Sequence, residues 1–318
     1  MISLNIYSFG YLMGLVKKNS RYVWDFNKFI DFTKKHNIKS IEFPIDYFSK
    51  KEKKKLVYFL EKLKKNKINF IIDVEKLDLS LFKKLSSLSH KYNIKLIRIK
   101  MSNFFGGNRH LIKNFDKIKL DFISNIKKIL KFIKHTNIKL AIENHQDLNS
   151  SEIVEIIKKT SVKKVGLNWD MGNSLATGET LDDFFKNGRD YLLNVHGKDY
   201  DIVRSNKGFY LKRCILGSGV VNFKRYISFF KRKKINFSIE LGAHYSRHCM
   251  FLDDKFLKAH KITKKRFKKF YNHISKNSTL QSPFTSWELN FDEKICFQNE
   301  IKDVKKSIFY IKKIFKYA

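Results

Sequence analysis

Four short phrases combine acidic, amide and imidazole side chains, and each follows or ends a short apolar run. They are Glu143-Asn144-His145, Asp170-Met171-Gly172-Asn173, His196-Gly197-Lys198-Asp199 and Ile239-Glu240. Together they offer two glutamates, an aspartate and a histidine, which can surround one divalent cation and leave positions open for a substrate. Carboxylate oxygens with one imidazole suit Mn²⁺, Mg²⁺, Co²⁺ or Zn²⁺, and no thiolate is placed to require a softer ion. A buried acidic side chain at such a position must be paired, protonated or metal-bound.

The phrases lie on a repeated unit, in which an entry resembling Asn-Ile-Lys precedes an apolar run. Five such runs occupy residues 36–43, 67–73, 93–98, 137–143 and 234–240. Two further apolar runs, 164–170 and 191–196, fit the series, and the opening run 2–7 makes eight. Runs that are apolar on both faces and alternate with amphipathic helices indicate a parallel sheet covered by helices. Eight units over roughly 240 residues favour a (β/α)₈ TIM barrel over an open doubly wound sheet.

Helices are predicted where apolar residues recur at three- and four-residue spacing. The predicted ranges are 22–35, 50–65, 79–91, 115–135, 150–159, 180–189, 222–233, 251–276 and 297–316. We expect residues 1–250 to form the barrel and its site, and residues 251–318 to form a C-terminal helical extension. This extension could pack on the barrel or on a second subunit, which leaves a homo-oligomer open.

The net charge of +36 on 318 residues raises the question of a nucleic-acid partner. The lysines, however, are spread along every helix, and Ile, Asn, Phe and Lys are all encoded by A/T-rich codons. Codon bias and solvated helix faces therefore explain the charge, and we expect no specific nucleic-acid partner. The sequence begins without the features of a secretion leader, no apolar run is long enough to span a membrane, and the three cysteines form no close pair. These features predict a cytoplasmic protein.

The order of the phrases resembles the xylose-isomerase-like barrel superfamily, the sugar phosphate isomerase/epimerase group. In that group, strand five ends in Glu-Asn-His, strand six ends in Asp-x-Gly-His/Asn, and strand seven ends in His-x-Lys-Asp. A Gly-x-Gly turn follows, here Gly217-Ser218-Gly219, and a Glu ends strand eight. The resemblance covers about residues 1–245. It implies one divalent metal ion, Mn²⁺ before Mg²⁺, Co²⁺ or Zn²⁺. The implied metal ligands are Glu143, Asp170, His196 and Glu240.

The resemblance also implies a reaction. A cation bound to two adjacent sugar oxygens stabilises the enediolate that forms when a neighbouring C–H proton leaves. Glu143 and Glu240, on different strands, form the expected acid/base pair. The substrate-binding candidates are His145, Trp169, Asn173, Lys198 and Arg213. Several have a structural alternative: His145 could orient Glu143, Trp169 could lie in the core, Asn173 could only make a turn, and Arg213, matched by its spacing to Gly217, could lie on the surface. Glu42 and Arg98 could reach the same rim or form a structural ion pair.

Three functions remain open at this stage. The first is a metal-dependent isomerase or epimerase of a small sugar, sugar acid or sugar phosphate, and the second is an inosose-type dehydratase on the same site. The third is a non-catalytic barrel that binds a partner. An apurinic-site endonuclease is disfavoured because its three-zinc cluster needs histidines after strands three and four, where this chain has Asp73-Val74 and Lys100-Met101. In addition, Asn173 replaces the histidine of the strand-six phrase, and the Gly217 turn leads to Val220-Val221-Asn222 in place of an Asp-x-His pair.

Overall fold

Eight parallel strands close into a barrel in a computed structural model that describes residues 1–16, 22–47, 53–242 and 244–317. In chain order the strands are β1 (Ile2–Asn5), β2 (Ser40–Pro44), β3 (Asn69–Val74), β4 (Leu96–Ile99), β5 (Lys139–Glu143), β6 (Val165–Asp170), β7 (Leu192–Gly197), β8 (Tyr200–Ser205), β9 (Gly208–Arg213), β10 (Asn236–Ile239), β11 (Arg247–Cys249) and β12 (Ser278–Thr279). The barrel order is β1-β10-β7-β6-β5-β4-β3-β2. The predicted (β/α)₈ architecture is therefore confirmed, with β10 as its eighth strand.

Amphipathic helices surround the barrel. They are α1 (Phe26–Lys35), α2 (Lys53–Lys65), α3 (Leu79–Tyr92), α4 (Phe115–Ile133), α5 (Ser150–Thr160), α6 (Leu181–Gly188), α7 (Lys224–Arg232), α8 (Asp254–Ala259), α9 (Lys264–Asn277) and α10 (Glu293–Tyr317). Most begin and end within a few residues of the predicted bounds, and the start predicted at residue 50 lies outside the described residues. In α4, Phe122, Ile126 and Ile129 are buried, as their spacing predicted.

The repeated entry into the strands has a stereochemical cause. Asn37, Lys67, Asn93 and Lys234 each follow a helix and adopt positive φ between 48° and 54°. The next residue is an isoleucine in all four cases, and its N–H donates back to a carbonyl in the last turn of that helix at 2.9–3.1 Å. This helix-ending motif favours a residue that tolerates the left-handed conformation, and it directs the isoleucine into the core.

A four-stranded sheet with the order β11-β9-β8-β12 begins three residues after β7, and we call it the rim sheet. Its centre is the antiparallel hairpin of β8 and β9, joined at Asn206 and Lys207. This hairpin was not predicted. Its signal in the sequence is the polar pair Asn206-Lys207 followed by Gly208, between two short runs that contain apolar residues.

The C-terminal segment differs in one element from the prediction. The single helix predicted for 251–276 is two helices, α8 and α9, because Lys261 has positive φ and Thr263 caps the start of α9 through the N–H of Arg266. The long helix α10 packs on the barrel, with the Phe315 ring 5.5 Å from that of Phe237. None of the helices in the described residues has the length and apolar character needed to cross a membrane.

Candidate active site

The carboxyl ends of β5, β6, β7 and β10 bring the predicted metal ligands to one end of the barrel. Asp170 and His196 are direct register partners on β6 and β7. One ligand atom each from Glu143, Asp170 and His196 lie within 4.8 Å of one another, and all three residues are buried. Glu240 lies beside this set, with its Oε2 atom 2.7 Å from Nδ1 of His196. We call these four residues the floor.

Lys198 stands between two of the floor carboxylates. Its Nζ atom is 2.6 Å from Oδ2 of Asp170 and 2.6 Å from Oε1 of Glu240. Burial alone would lower the pKa of Lys198, but these two carboxylates outweigh it and raise the pKa well above its usual value. The lysine is therefore a buried cation held by the floor.

Arg98 and Glu42 extend the ion-pair network of the floor. The Nε atom of Arg98 lies 3.0 Å from Oε2 of Glu143 and 3.4 Å from Oδ1 of Asp73. Glu42 accepts from Nε2 of His196 at 2.7 Å, and Ser238 donates to its other oxygen. Arg98 and Glu42 therefore both contact floor residues and do not pair with each other; Glu42 lies fully buried in the middle of β2 and not at its carboxyl end.

Negative charge exceeds positive charge in this connected cluster. Six carboxylates face three lysine and arginine cations, and the carboxylates are Glu42, Asp73, Glu75, Glu143, Asp170 and Glu240. Burial and the neighbouring Glu240 and Glu143, opposed by Lys198, raise the pKa of Asp170 to about 7. His196 shows the opposite response: burial lowers its pKa, but Glu42 and Glu240 outweigh burial and raise the pKa well above its usual value. Burial likewise raises the pKa of Asp73 well above its usual value, so protons neutralise part of the excess carboxylate charge.

Two observations on the floor residues support the binding of a divalent cation. First, the donor set of three carboxylates and one imidazole is the oxygen and nitrogen chemistry of Mn²⁺, Mg²⁺, Co²⁺ or Zn²⁺. Second, Oε2 of Glu143 and Nδ1 of His196 are buried and make no hydrogen bond of acceptable geometry, although each lies close to a charged neighbour. Buried polar atoms are normally satisfied, so such atoms on two predicted ligands are the expected mark of a metal site.

A cavity of about 260 Å³ opens above the floor. Three of the predicted substrate-binding residues line it: His145, Asn173 and Lys198. Asn173 donates to Asp170 at 2.7 Å and accepts from Gln146 and from the Tyr200 hydroxyl, at 2.7 and 3.0 Å. Burial and the nearby Lys100 and Arg98 hold the pKa of His145 well below its usual value, so its ring is neutral.

Trp169 lies outside the cavity, contrary to the stacking role considered for it. Its side chain is fully buried, stacks on Phe184 and donates from Nε1 to Ser174 at 2.8 Å. The reason is strand geometry: successive side chains of β6 point to opposite faces, so Asp170 faces the barrel axis and Trp169 faces the helices.

Arg213 is also placed away from the floor. It lies at the end of β9 in the rim sheet and lines a separate cavity of about 160 Å³. Its Nη1 atom donates to the Gly242 carbonyl at 3.3 Å, and its Nη2 atom lies 3.8 Å from Asp303. The spacing to Gly217 did not predict this position, because the unforeseen hairpin sets where the arginine lies.

The two glycine-containing phrases are explained by packing. The Asp199 carboxylate accepts backbone N–H groups of Tyr200, Gly217, Gly219 and Val221 at 2.9–3.0 Å, so it holds the Gly-x-Gly turn. A Cβ atom on Gly172 would lie 2.7 Å from the Tyr200 ring. Both phrases thus carry scaffold residues beside floor residues.

Several cavity residues were not singled out from the sequence: Tyr7, Glu75, Lys100, Gln146, Tyr200 and Tyr245. Most follow barrel strands at their carboxyl ends, which is the signal that could have identified them. Arg247, for which the sequence offered no specific role, also lines this cavity. Among the described residues, Glu143, Asp170 and His196 form the one close group of three potential metal ligands.

Comparison with solved structures finds the same fold at low sequence identity. The probable 3-DHS dehydratase AsbF from Bacillus anthracis is 16% identical with a TM-score of 0.55, over 85% of this chain and 98% of that chain. D-psicose 3-epimerase from Clostridium cellulolyticum H10 is 10% identical with a TM-score of 0.55, over 88% of this chain and 99% of that chain. The IOLI protein with a bound zinc atom is 14% identical with a TM-score of 0.53, over 87% of this chain and 99% of that chain.

Sequence comparisons give one short match and one long one. The uncharacterized protein YihM of Escherichia coli (strain K12) is 30% identical over 112 residues. This match spans 34% of this chain, and it also spans 34% of the length of that relative. The profile of the family described as xylose isomerase-like TIM barrel matches residues 30–265, which is most of the chain. The chain therefore belongs to the xylose isomerase-like TIM barrel family.

Proposed function

We propose that this protein is a divalent-metal-dependent isomerase or epimerase of a small sugar, sugar acid or sugar phosphate. The observation that carries the proposal is the buried cluster of ligand atoms from Glu143, Asp170 and His196, of which Glu143 also lines the cavity, together with Glu240. The proposed ligands are these three residues and Glu240. A divalent cation at this position would supply Lewis-acid polarisation of a substrate carbonyl. The named functions of the epimerase and dehydratase neighbours agree with this class of chemistry.

The acid/base roles follow from where the two glutamates lie. Glu143 and Glu240 come from different strands, β5 and β10, and both line the cavity. One removes the proton from the carbon beside the carbonyl, and the other returns a proton on the opposite face in an epimerisation. Burial would raise the pKa of Glu240, but Lys198 and His196 outweigh it and hold the pKa well below its usual value. Glu240 is therefore ionised and able to accept a proton.

Remaining cavity residues position the substrate in this proposal. The neutral His145 ring, the Asn173 amide and the Lys198 ammonium provide donors for hydroxyl and carbonyl oxygens. A dehydratase is the second candidate, because a lyase begins with the same proton removal and then expels a β-hydroxyl. The neighbour of this fold that is named as a probable 3-DHS dehydratase supports this second candidate.

The test is solvent exchange at carbon. Purified protein with Mn²⁺ is incubated in D₂O with ketoses, aldoses, inososes, sugar acids and sugar phosphates, and NMR follows loss of the C–H signal. We expect exchange and a new isomer with at least one substrate, and exchange that is lost in Glu240→Gln but kept in the exposed control Glu155→Gln. An unsaturated product with loss of water would favour the dehydratase. Exchange that persists unchanged in Glu240→Gln, or no exchange across the panel, would contradict the proposal.

A further inference from the structure

Arg247 brings a positive charge to the cavity from outside the barrel. It lies on β11 of the rim sheet, directly opposite Leu211 of β9, and its side chain lines the cavity above the floor. Its guanidinium carbon is 3.6 Å from the centre of the Phe105 ring. A guanidinium stacked on a ring keeps the N–H groups at its edge available, so the contact fixes the group without using its donors.

The other three strong cations of the cavity are already committed. Arg98 pairs with Glu143, Asp73 and Glu75, Lys100 pairs with Glu75, and Lys198 pairs with Asp170 and Glu240. Within the described part of the chain, the Arg247 side chain forms no ion pair and no side-chain hydrogen bond; its guanidinium stacks on the Phe105 ring, and the Glu288 carboxylate acts on it only from a distance. It is the one strong cation of this cavity, within the described residues, that remains free for a ligand.

Burial makes this free charge notable. Arg247 is largely shielded from solvent, and burial lowers its pKa, yet an arginine side chain stays protonated in proteins. A partly desolvated charge without a counter-ion is costly, so such residues are normally paired. The planar fork of donors matches the two oxygens of a carboxylate or the oxygens of a phosphate.

The position of Arg247 relative to the floor is suitable for one small ligand. Arg247 interacts electrostatically with Tyr200, and the Tyr200 hydroxyl contacts Asn173, which in turn donates to Asp170. A cavity of about 260 Å³ is just below the roughly 300–1,000 Å³ typical of drug-sized ligands. Arg247 lines the same cavity as the floor residues Glu143 and Glu240, so a one-ring sugar derivative can contact both.

We propose that Arg247 binds an oxyanion group of the substrate, a carboxylate or a phosphate, so that the substrate is a sugar acid or a sugar phosphate and not a neutral sugar. This inference rests on the proposed function for the reacting end of the substrate. It adds a specificity-determining residue that belongs to the rim sheet and not to the barrel.

The test measures binding without turnover. Calorimetry compares D-gluconate, D-sorbitol 6-phosphate and neutral D-sorbitol, none of which has a carbonyl group to enolise. In the wild-type protein we expect one of the two oxyanions to bind at least about 10-fold more tightly than sorbitol, because hydrogen bonds to charged groups are the strong ones. The oxyanion that binds more tightly shows whether the cavity prefers a carboxylate or a phosphate.

Variants assign the effect to the arginine. Arg247→Gln should weaken binding of the preferred oxyanion by roughly 10- to 100-fold and leave sorbitol unchanged. Arg247→Lys keeps the charge but loses the planar fork of donors, so its affinity for the oxyanion should lie between those of the wild-type protein and Arg247→Gln. The control Lys207→Gln removes one charge from the same sheet at an exposed position and should change neither affinity. Thermal unfolding checks that each variant is folded.

Two results would overturn the proposal: equal affinity of the wild-type protein for oxyanions and sorbitol, or oxyanion affinity that persists in folded Arg247→Gln and Arg247→Lys. Because no turnover is measured, the outcome is separate from the proposed function. Arg247-dependent oxyanion binding without any proton exchange would contradict only the isomerase proposal. Exchange on neutral sugars without oxyanion binding would contradict only the role of Arg247.

Discussion

The two faces of the strand ends differ in how their polar atoms are satisfied. On the inner face, Asp170 and His196 lie among competing charges, and Nδ1 of His196 makes no hydrogen bond. On the outer face and in the adjoining turn, Trp169 donates to Ser174, and Asp199 accepts four backbone N–H groups. Residues one to three positions apart in sequence therefore occupy opposite environments.

This difference separates function from stability. Buried polar atoms are normally satisfied by hydrogen bonds, and where several ionisable groups crowd together without them, a functional site is one explanation. A fully bonded outer residue has no such capacity and serves the fold. Substitutions on the inner face should therefore change turnover, and substitutions on the outer face should change the free energy of unfolding.

The largest expected effect is that of Glu240→Gln on turnover. Glutamine keeps an oxygen for coordination but cannot accept a proton, so we expect kcat to fall roughly 10²- to 10⁴-fold, the range for loss of a general base. Metal affinity should fall less than in His196→Ala, which removes its ligand atom. The measurement is steady-state kinetics on the substrate found by the exchange screen, together with calorimetric titration of Mn²⁺. Activity near that of the wild-type protein would remove Glu240 from the acid/base pair.

A large effect on stability is expected from Asp199→Ala. The change leaves four backbone N–H groups without their acceptor, and each unsatisfied buried donor costs about 1–3 kcal/mol. We expect the free energy of unfolding to fall by about 3 kcal/mol or more in urea denaturation. Asp201→Ala, which alters a half-buried carboxylate on the same hairpin, is the matched control and should cost less. An unchanged midpoint for Asp199→Ala would show that the turn does not depend on this carboxylate.

A smaller effect is expected from Trp169→Phe. The change removes ring volume from the packing against Phe184 and the hydrogen bond to Ser174, at a cost of about 1–2 kcal/mol. KM should not change, because the side chain has no contact with the cavity. Thermal unfolding and substrate titration measure the two quantities separately. A KM that rises severalfold in a variant of normal stability would return Trp169 to the substrate site.

Much of the barrel was predictable because its physical causes are local. The left-handed caps at Asn37 and Asn93, the isoleucines after them and the amphipathic helices repeat along the chain, and repetition makes a periodic signal reliable. The floor was predictable for a related reason: parallel strands place their carboxyl ends at one rim, so acidic residues at strand ends converge.

The errors have identifiable causes too. Trp169 was considered for the site although it is adjacent to Asp170, and the two-residue period of a strand places neighbours on opposite faces. Arg213 was assigned by spacing alone, and the hairpin of β8 and β9 placed it elsewhere. Arg247 could not be assigned from sequence, because its role depends on which cations already have partners, and that pairing exists only in three dimensions.

The central claim is that the floor binds one divalent cation, and metal content tests it most directly. Protein dialysed against Mn²⁺ and then against metal-free buffer is analysed for bound manganese by elemental mass spectrometry, with calorimetry for affinity. We predict one ion per chain, a loss of affinity of at least about 10-fold in folded His196→Ala, and no change in the control Glu155→Gln. No bound ion in the wild-type protein, or equal affinity in His196→Ala, would contradict the account.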